Sequence, residues 1–263
     1  MDITPTSLQR DTELYLDTLI TFQVNDTIFK VPPKYIHENS EVFGAGSQIS
    51  AESGEGSSDA HPVKLSPLPH DCTADDFRCL LKIIMALTVG LPIPTNYGLD
   101  KWLSVLKLST AWYFSDVRTL AMEQVSRSKT NYTKDQWITV LDFAHNNSVQ
   151  FTDLRDLAIT RVSGFRFDSK VDQVLLGRKY LHKPWIIEGF RELANVYELP
   201  SLAELRTLGK DTLNTLLYMA FNRARNEGRG YSYNYDYRGP YSDHEVEEHF
   251  HDEIAALFPA PVV

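Results

Sequence analysis

LDKWLSVLKLSTAWYFSDVRTLA, residues 99–121, decides how the rest of the chain is read. Leu103, Leu106, Leu108, Ala111, Trp112 and Phe114 cover more of a helical surface than one buried stripe requires. A helix that is apolar nearly all round belongs in the middle of a domain. Lys101 and Lys107 mark its narrow wet side. Ser115 and Asp116 then restart a second helix, because both side chains can accept from the unpaired N–H groups of a helix start. The pair closes near Arg127. Two helices folded on each other in this way need cover, and the flanking segments are patterned to supply it.

Toward the N-terminus, residues 14–31, LYLDTLITFQVNDTIFKV, read as a β-hairpin. Ile20, Phe22 and Val24 alternate before the turn, and Phe29 and Val31 after it. Asn25 and Asp26 tolerate the positive φ of a tight turn. Pro32 and Pro33 end the second strand, since neither can donate to a ladder. Lys34–Glu38 is expected to be a short helix, with a second start at Ser40–Phe43. Residues 44–61 contain five Ser, four Gly and three acids with no large aromatic, so a disordered insertion is expected there. Pro62–Leu65 reads as a short strand. Thr73–Leu87 reads as a helix capped by Thr73 and Asp76, with Phe77, Leu80, Leu81, Ile84 and Leu87 on its buried face. GLPIPTNYG at 90–98 is a stiff connector.

Toward the C-terminus the chain is helical throughout. Thr133 and Gln136 form a capping box ahead of WITVLDFAH. Helices are expected over Asp153–Gly164, Val171–Tyr180 and Pro184–Tyr197, the last begun by a proline whose missing N–H would be unpaired anyway. Ser201 and Glu204 make another box, and Leu213–Arg225 a last long helix. GRGYSYNYDYRGPY at 228–241 breaks the pattern as a tyrosine-rich linker, and Glu245–Phe258 reads as an acidic tail helix. The fold class is therefore α+β, mainly α: a helical cluster flanked by a small sheet at 13–128, an all-α region at 129–228, and the linker and tail at 229–263.

A chain of 263 residues suits one large domain or two small ones, and 43% apolar with 23% charged residues is ordinary for a globular protein. No run of 18 apolar residues exists, so no membrane span is expected, and the start MDITPTSLQRDTELY lacks the basic-then-apolar order of a secretory signal. Two cysteines, Cys72 and Cys79, seven residues apart, fit reduced thiols of an intracellular protein of cytoplasm or nucleus better than a disulfide framework. The net charge of −9 disfavours nucleic-acid binding, which depends on counterion release by Lys and Arg. Six carboxylates and no Lys or Arg lie in 241–263, so the tail carries −6 of that −9.

The chemical signals are weak. His244, Glu245, Glu248, His249, His251 and Asp252 suggest a metal, but His244 and His249 are five apart and do not stack on a helix face. A solvated acidic face is the simpler reading. No H-E-x-x-H pattern, phosphate-binding glycine loop or nucleophile elbow occurs. Cys72 at a helix start reads as a structural thiol. Tyr231, Tyr233, Tyr235, Tyr237 and Tyr241 with Arg229 and Arg238 offer stacking faces, yet in an acidic chain they read as a linker or docking segment. Trp102, Trp112, Trp137 and Trp185 lie in amphipathic runs and are packing residues. No enzyme and no cofactor is expected.

Phe29-Lys30-Val31-Pro32, Ser40-Glu41-Val42-Phe43, Val63-x-Leu65 and Phe77-x-x-Leu80-Leu81 follow one another in an order that resembles a BTB/POZ domain. Trp102–Trp112, Val117–Ala121, LGRKY at 176–180, PWIIEGFREL at 184–193 and LPSLAE at 199–204 are similar to its large mushroom-type fungal branch. The resemblance spans about residues 13–228. It implies a protein-interaction platform with protein partners and homodimerisation through the N-terminal part, with Leu14, Asp17, Val31, Pro32, Lys34, Tyr35 and Ile36 as the candidate dimer interface. Leu14, Leu16, Leu19, Ile20, Phe22, Tyr35 and Ile36 also give that end more apolar surface than a lone hairpin can bury. Two departures stand out. Animal members carry a His-Arg or His-Lys pair after the second strand, where this chain has Pro32 with only Lys34 nearby. Members that recruit a cullin ubiquitin-ligase scaffold often show a hydrophobic-x-Glu step after the central helix, and residues 80–98 hold no Glu. A substrate-recruiting adaptor of such a ligase is therefore the alternative to a self-associating interaction module.

Overall fold

Alternation and a two-residue turn are enough to start the sheet. In the computed structural model, which describes residues 18–46, 54–94, 96–127, 132–147, 149–227 and 240–259, β1 (Ile20–Val24) and β2 (Thr27–Val31) pair antiparallel from Ile20↔Val31 to Val24↔Thr27. Asn25 takes the turn with φ +49°. A third strand, β3 (Val63–Lys64), lies parallel to β1 on its other side, giving the order β2-β1-β3. The rest is helical, so the chain is α+β and mainly α. It divides into two compact units, Met1–Gln136 and Trp137–Val263, later than residue 128, where the sequence pattern changes.

In the first unit, α1 (Pro33–His37) and α2 (41–46) follow the hairpin, then β3, α3 (Ala74–Val89), α4 (Leu99–Ala111) and α5 (Ser115–Ser126). The core is aromatic. Phe22 meets Phe43 and Phe77 edge-on at 5.6 and 6.0 Å, Phe77 meets Phe29 and Trp112 at 5.0 and 5.8 Å, and Phe43 meets Trp112 at 5.4 Å. Such pairs add about 0.5–1.5 kcal/mol each beyond the area they bury. They join the hairpin, α2 and α3 to the end of α4. Val105, Leu106 and Leu108 of α4 are fully buried, which places the opening stretch at the centre of this unit. The break before α5 is made by the backbone: Tyr113 adopts φ +56° and Phe114 N–H donates to Ser109 O at 2.9 Å. Ser115 and Asp116 do not cap α5; the N-cap position is Phe114.

The Thr73–Asp76 capping box forms as read, with Thr73 N–H donating to Asp76 Oδ2 at 2.9 Å and Asp76 N–H to Thr73 Oγ1 at 3.3 Å. Phe77, Leu80, Leu81 and Ile84 of α3 are buried as expected, but the face is wider than read and ends earlier: Ile83 and Ala86 are buried too, and Leu87 stands 39% exposed. The run IIMALTV is apolar at every position but one, so its periodicity does not say which side turns inward.

The expected disordered insertion at 44–61 is a misreading for the residues described. Residues 44–46 complete α2, and Gly54–His61 forms an ordered turn against the sheet. Thr21 N–H donates to Gly56 O at 2.8 Å, Gly56 N–H to His61 O at 2.6 Å, and Lys30 reaches Asp59 at 3.3 Å. Backbone groups hold this turn, which side-chain composition does not reveal. Gly56 sits at φ +80°, and a Cβ there would lie 2.8 Å from Ile20 Cγ1, so glycine is required rather than merely tolerated. Residues 47–53 lie outside the described residues.

The second unit starts in α6 (Lys134–Asn146) and continues through α7 (Thr152–Ser163), α8 (Lys170–Lys179), α9 (Lys183–Asn195), α10 (Leu202–Arg206), α11 (Lys210–Glu227), α12 (Asp243–His249) and α13 (His251–Leu257). Its tightest element is the α8–α9 hairpin, turned at Leu181 with φ +52°. A Cβ on Gly177 would lie 2.7 Å from Ile186 Cγ1, and one on Gly189 only 2.5 Å from Val174 Cγ2. The helices approach through those two glycines. Ser169 caps α8 by accepting from Val171 N–H. Ser201 caps α10, but Glu204 does not return the bond; its carboxylate accepts from Ser169 Oγ at 2.6 Å.

Candidate interaction surfaces

Leu14 and Asp17 of the expected interface lie outside the described residues. Of the others, Val31 and Ile36 are buried within this chain and are corrected from interface to core residues. Of the apolar surplus of the hairpin, Phe22 and Ile36 are packed inside, Ile20 and Tyr35 are half-buried, Leu19 is exposed, and Leu14 and Leu16 lie outside the described residues. Lys34 is exposed, and Pro32 and Tyr35 are half-buried. These three keep a face that a partner can reach.

Sequence reasoning missed the neighbouring surface. Met85, Leu87, Val89 and Leu91 are exposed over the last turns of α3 and just beyond. Asn39 Nδ2 donates to Tyr35 O at 2.8 Å and lies 3.3 Å from Thr88 Oγ1, so the end of α1 abuts this part of α3. Gly90 ends the helix at φ +74° with Leu91 N–H donating to Ala86 O, which fixes where the apolar run leaves the fold. Asn39 is shared with an open groove of about 590 Å³ lined also by His37, Glu38, Ser40, Glu41, Tyr113 and Asp116.

Electrostatics fix positions more than they poise reactions. Burial works to raise the Asp76 pKa, but hydrogen bonds from the Thr73 backbone and hydroxyl and from Ser104, with the Lys101 charge 3.3 Å away, hold it below the usual carboxylate value. Burial, with Asp76 nearby, pushes the Cys72 thiol up to about 11, so it is protonated at neutral pH and a poor nucleophile. Both Cys72 and Cys79 are free thiols. Burial lowers the pKa of His37, His145 and His182, with Arg155 adding to it at the last two. Among the described residues no group of three or more His, Cys, Asp or Glu is placed to hold a metal, and no helix is long and apolar enough to cross a membrane.

The tail departs most from its sequence reading. Tyr241, Val246, Phe250 and Ile254 are buried in one core with Ile187, Phe190, Leu193, Leu216 and Met219. The segment is two helices, breaking at Phe250; His244, Glu248, His251 and Asp252 keep a solvated acidic face as read, while the opposite side is buried. Tyr241 belongs to this core rather than to a linker: its N–H donates to Asn195 Oδ1 at 2.8 Å and Asn195 Nδ2 donates to its carbonyl at 2.9 Å. Tyr231, Tyr233, Tyr235, Tyr237, Arg229 and Arg238 lie outside the described residues. The spacing of Val246, Phe250, Ile254 and Phe258, four apart each time, was the available signal. No protein-family model matches this chain, and no curated protein or solved structure resembles it significantly.

Proposed function

We infer that the chain is a non-enzymatic protein–protein interaction module of BTB/POZ type that self-associates through its first unit. The observation that carries this reading is the apolar exposure at the end of α3, where Met85 and Val89, four residues apart, share one helix face and Asn39, bonded to Tyr35 O, reaches Thr88. Concentrated apolar exposure on a folded unit marks a surface that meets another protein. The element order supports the family part of the reading: a hairpin, two short helices, a third strand parallel to the first, then three helices on an aromatic core. The protonated Cys72 and the half-buried histidines, their pKa values lowered by burial, suit a binding role over nucleophilic chemistry. Free thiols suit an intracellular setting, in cytoplasm or nucleus.

Light scattering across a dilution series tests self-association, for the intact chain and for a Tyr35→Glu, Val89→Glu variant. Both positions keep solvent access, so the variant is expected to fold and to run as a monomer while the intact chain runs as a dimer. A monomeric intact chain at high micromolar concentration would overturn the proposal. An unchanged dimer in the variant would remove the interface from this surface. Salt-resistant capture of a cullin scaffold would favour the ligase-adaptor alternative instead.

A further inference from the structure

The C-terminal segment occupies its site as a bound amphipathic helix occupies a groove. The groove is walled by α8, α9 and α11, with Phe190, Leu193, Leu216 and Met219 on its floor. The segment inserts Tyr241, Val246, Phe250 and Ile254, and the Phe250 ring stacks on Phe190 at 3.9 Å and 16°. The rim is basic and the segment acidic. Arg191 pairs with Asp243 at 2.9 Å and Lys183 with Glu247 at 2.9 Å. Arg178 takes Glu253 at 2.7 Å, and Thr212 Oγ1 donates to the other oxygen of that carboxylate at 2.7 Å. Arg178 also donates to Leu208 O at 2.7 Å and to Thr212 Oγ1 at 2.9 Å, so groups of the groove itself also hold its guanidinium.

We propose that this groove is a receptor for an acidic amphipathic helix and that α12–α13 is an exchangeable ligand, seated in cis here and able to seat in a second copy of the chain. Three features carry the choice of occupant. Each of these contacts with the segment runs between side chains, or between Tyr241 and Asn195, so each is reproduced when an identical segment enters from another copy. Charge complementarity selects the partner: the segment has six carboxylates and no Lys or Arg, against Lys183, Arg191 and Arg178 on the rim. The connection to α11 is twelve residues, 228–239, with an extended reach of about 40 Å. Exchange of an identical element costs only the difference in chain closure, and shortening the connection tilts the balance toward exchange. The surface lies in the second unit and is independent of the self-association proposed for the first.

The test uses the full chain with a protease site placed within 228–239, cut after purification, and a fluorescent peptide of residues 240–259. The cut protein is expected to take up the peptide, as read by anisotropy, and to release it to unlabelled peptide. A peptide carrying Phe250→Ala is expected to bind about a hundredfold more weakly, since a large buried ring is lost. The uncut chain should take up far less, because the tethered segment competes at an effective concentration in the millimolar range. Failure of the cut protein to exchange over a day, unfolding of the cut protein, or equal binding of the Phe250→Ala peptide would each overturn the proposal. For the second copy, four residues are deleted from 228–239 in the Tyr35→Glu, Val89→Glu background, which separates this association from that of the first unit. A dimer that Phe250→Ala abolishes supports exchange between copies, and a monomer at high micromolar concentration refutes it.

Discussion

Replacing Gly189 by alanine sets two well-separated effects against each other. Gly189 lies in the interior of α9, where alanine is favoured over glycine by about 1 kcal/mol on helix propensity. Propensity alone therefore makes Gly189→Ala stabilising. The geometry reverses the sign. The added methyl would sit 2.5 Å from Val174 Cγ2, 3.2 Å from Lys170 O and 3.4 Å from Val174 N. Carbon atoms pack best at roughly 3.5–4.0 Å, so the overlap with Val174 approaches 1 Å. Val174 is fully buried in α8, and a β-branched side chain in a helix has one strongly preferred rotamer, so it cannot swing away cheaply. Relief must come from spreading α8 and α9, which also loosens Gly177 against Ile186. Overpacking of this kind costs about 1–3 kcal/mol, and the upper half applies where backbone is one of the neighbours. The net expectation is a loss of about 1–2 kcal/mol.

Urea denaturation with hydrogen exchange read on peptides from 170–195 measures this in the right unit. The double mutant supplies the decisive comparison. Val174→Ala alone costs about 2 kcal/mol through its cavity, but in the Gly189→Ala background the cavity receives the new methyl. The pair is expected to lose less than the sum of the singles by about 1 kcal/mol or more. A Gly189→Ala protein as stable as the parent, or a strictly additive pair, would refute close approach through Gly189.

Two further outcomes follow from the same structure. Gly56→Ala should destabilise the first unit by about 1–3 kcal/mol from positive φ plus the clash with Ile20, whereas Gly54→Ala, at φ +72° in open space, should cost about 1 kcal/mol, as compared by thermal unfolding. Acid should weaken the fold: the pKa values of His37, His145 and His182 are lowered from 6.5 by burial, so the unfolded chain binds more protons and stability, complete above about 6.5, falls as pH drops below it. A melting temperature independent of pH between about 7.5 and 5.5, or one whose slope His182→Gln leaves untouched, would contradict this.

Local chemistry made part of the fold legible. The hairpin turn at Asn25-Asp26 and the boxes at Thr73/Asp76 and Thr133/Gln136 each satisfy backbone groups within a few residues, so sequence neighbours alone determine them. Apart from the α5 start and the α3 face, the misreadings are cases where a distant surface decides. Residues 54–61 look unable to offset their ordering entropy, yet they spend little side-chain entropy and gain ladder bonds from β1 that composition does not register. The glycines of LGRKY and PWIIEGFREL read as parts of a resemblance, and their physical role, the contact of α8 with α9, becomes visible only when Val174 and Ile186 are placed opposite them.

The apolar stripe of the tail and two residues of the candidate interface, Val31 and Ile36, depart from their sequence reading for one reason. The sequence pattern assigns an apolar surplus to the hairpin end, Phe22 and Ile36 included, and a polar surplus to 241–258, and the fold cancels part of each. Val31 and Ile36 are covered within the first unit, and half of the tail's carboxylates are met by Arg178, Lys183 and Arg191, residues 52 to 75 positions earlier in the chain. The Arg178 pair, about a fifth exposed on each side, is the least screened of the three; the other two are open to water and salt and add little individually. Attachment therefore rests mainly on the stripe Tyr241, Val246, Phe250 and Ile254, with charge setting orientation and register. The surfaces that remain uncancelled are informative for that reason. Met85, Leu87, Val89 and Leu91 still face water at the end of α3, where Thr88 meets Asn39. They are not alone in this: Tyr113 in the first unit and Leu217, Tyr218 and Phe221 on α11 in the second are also exposed, so it is the proposed dilution series, and not exposure by itself, that singles out the end of α3.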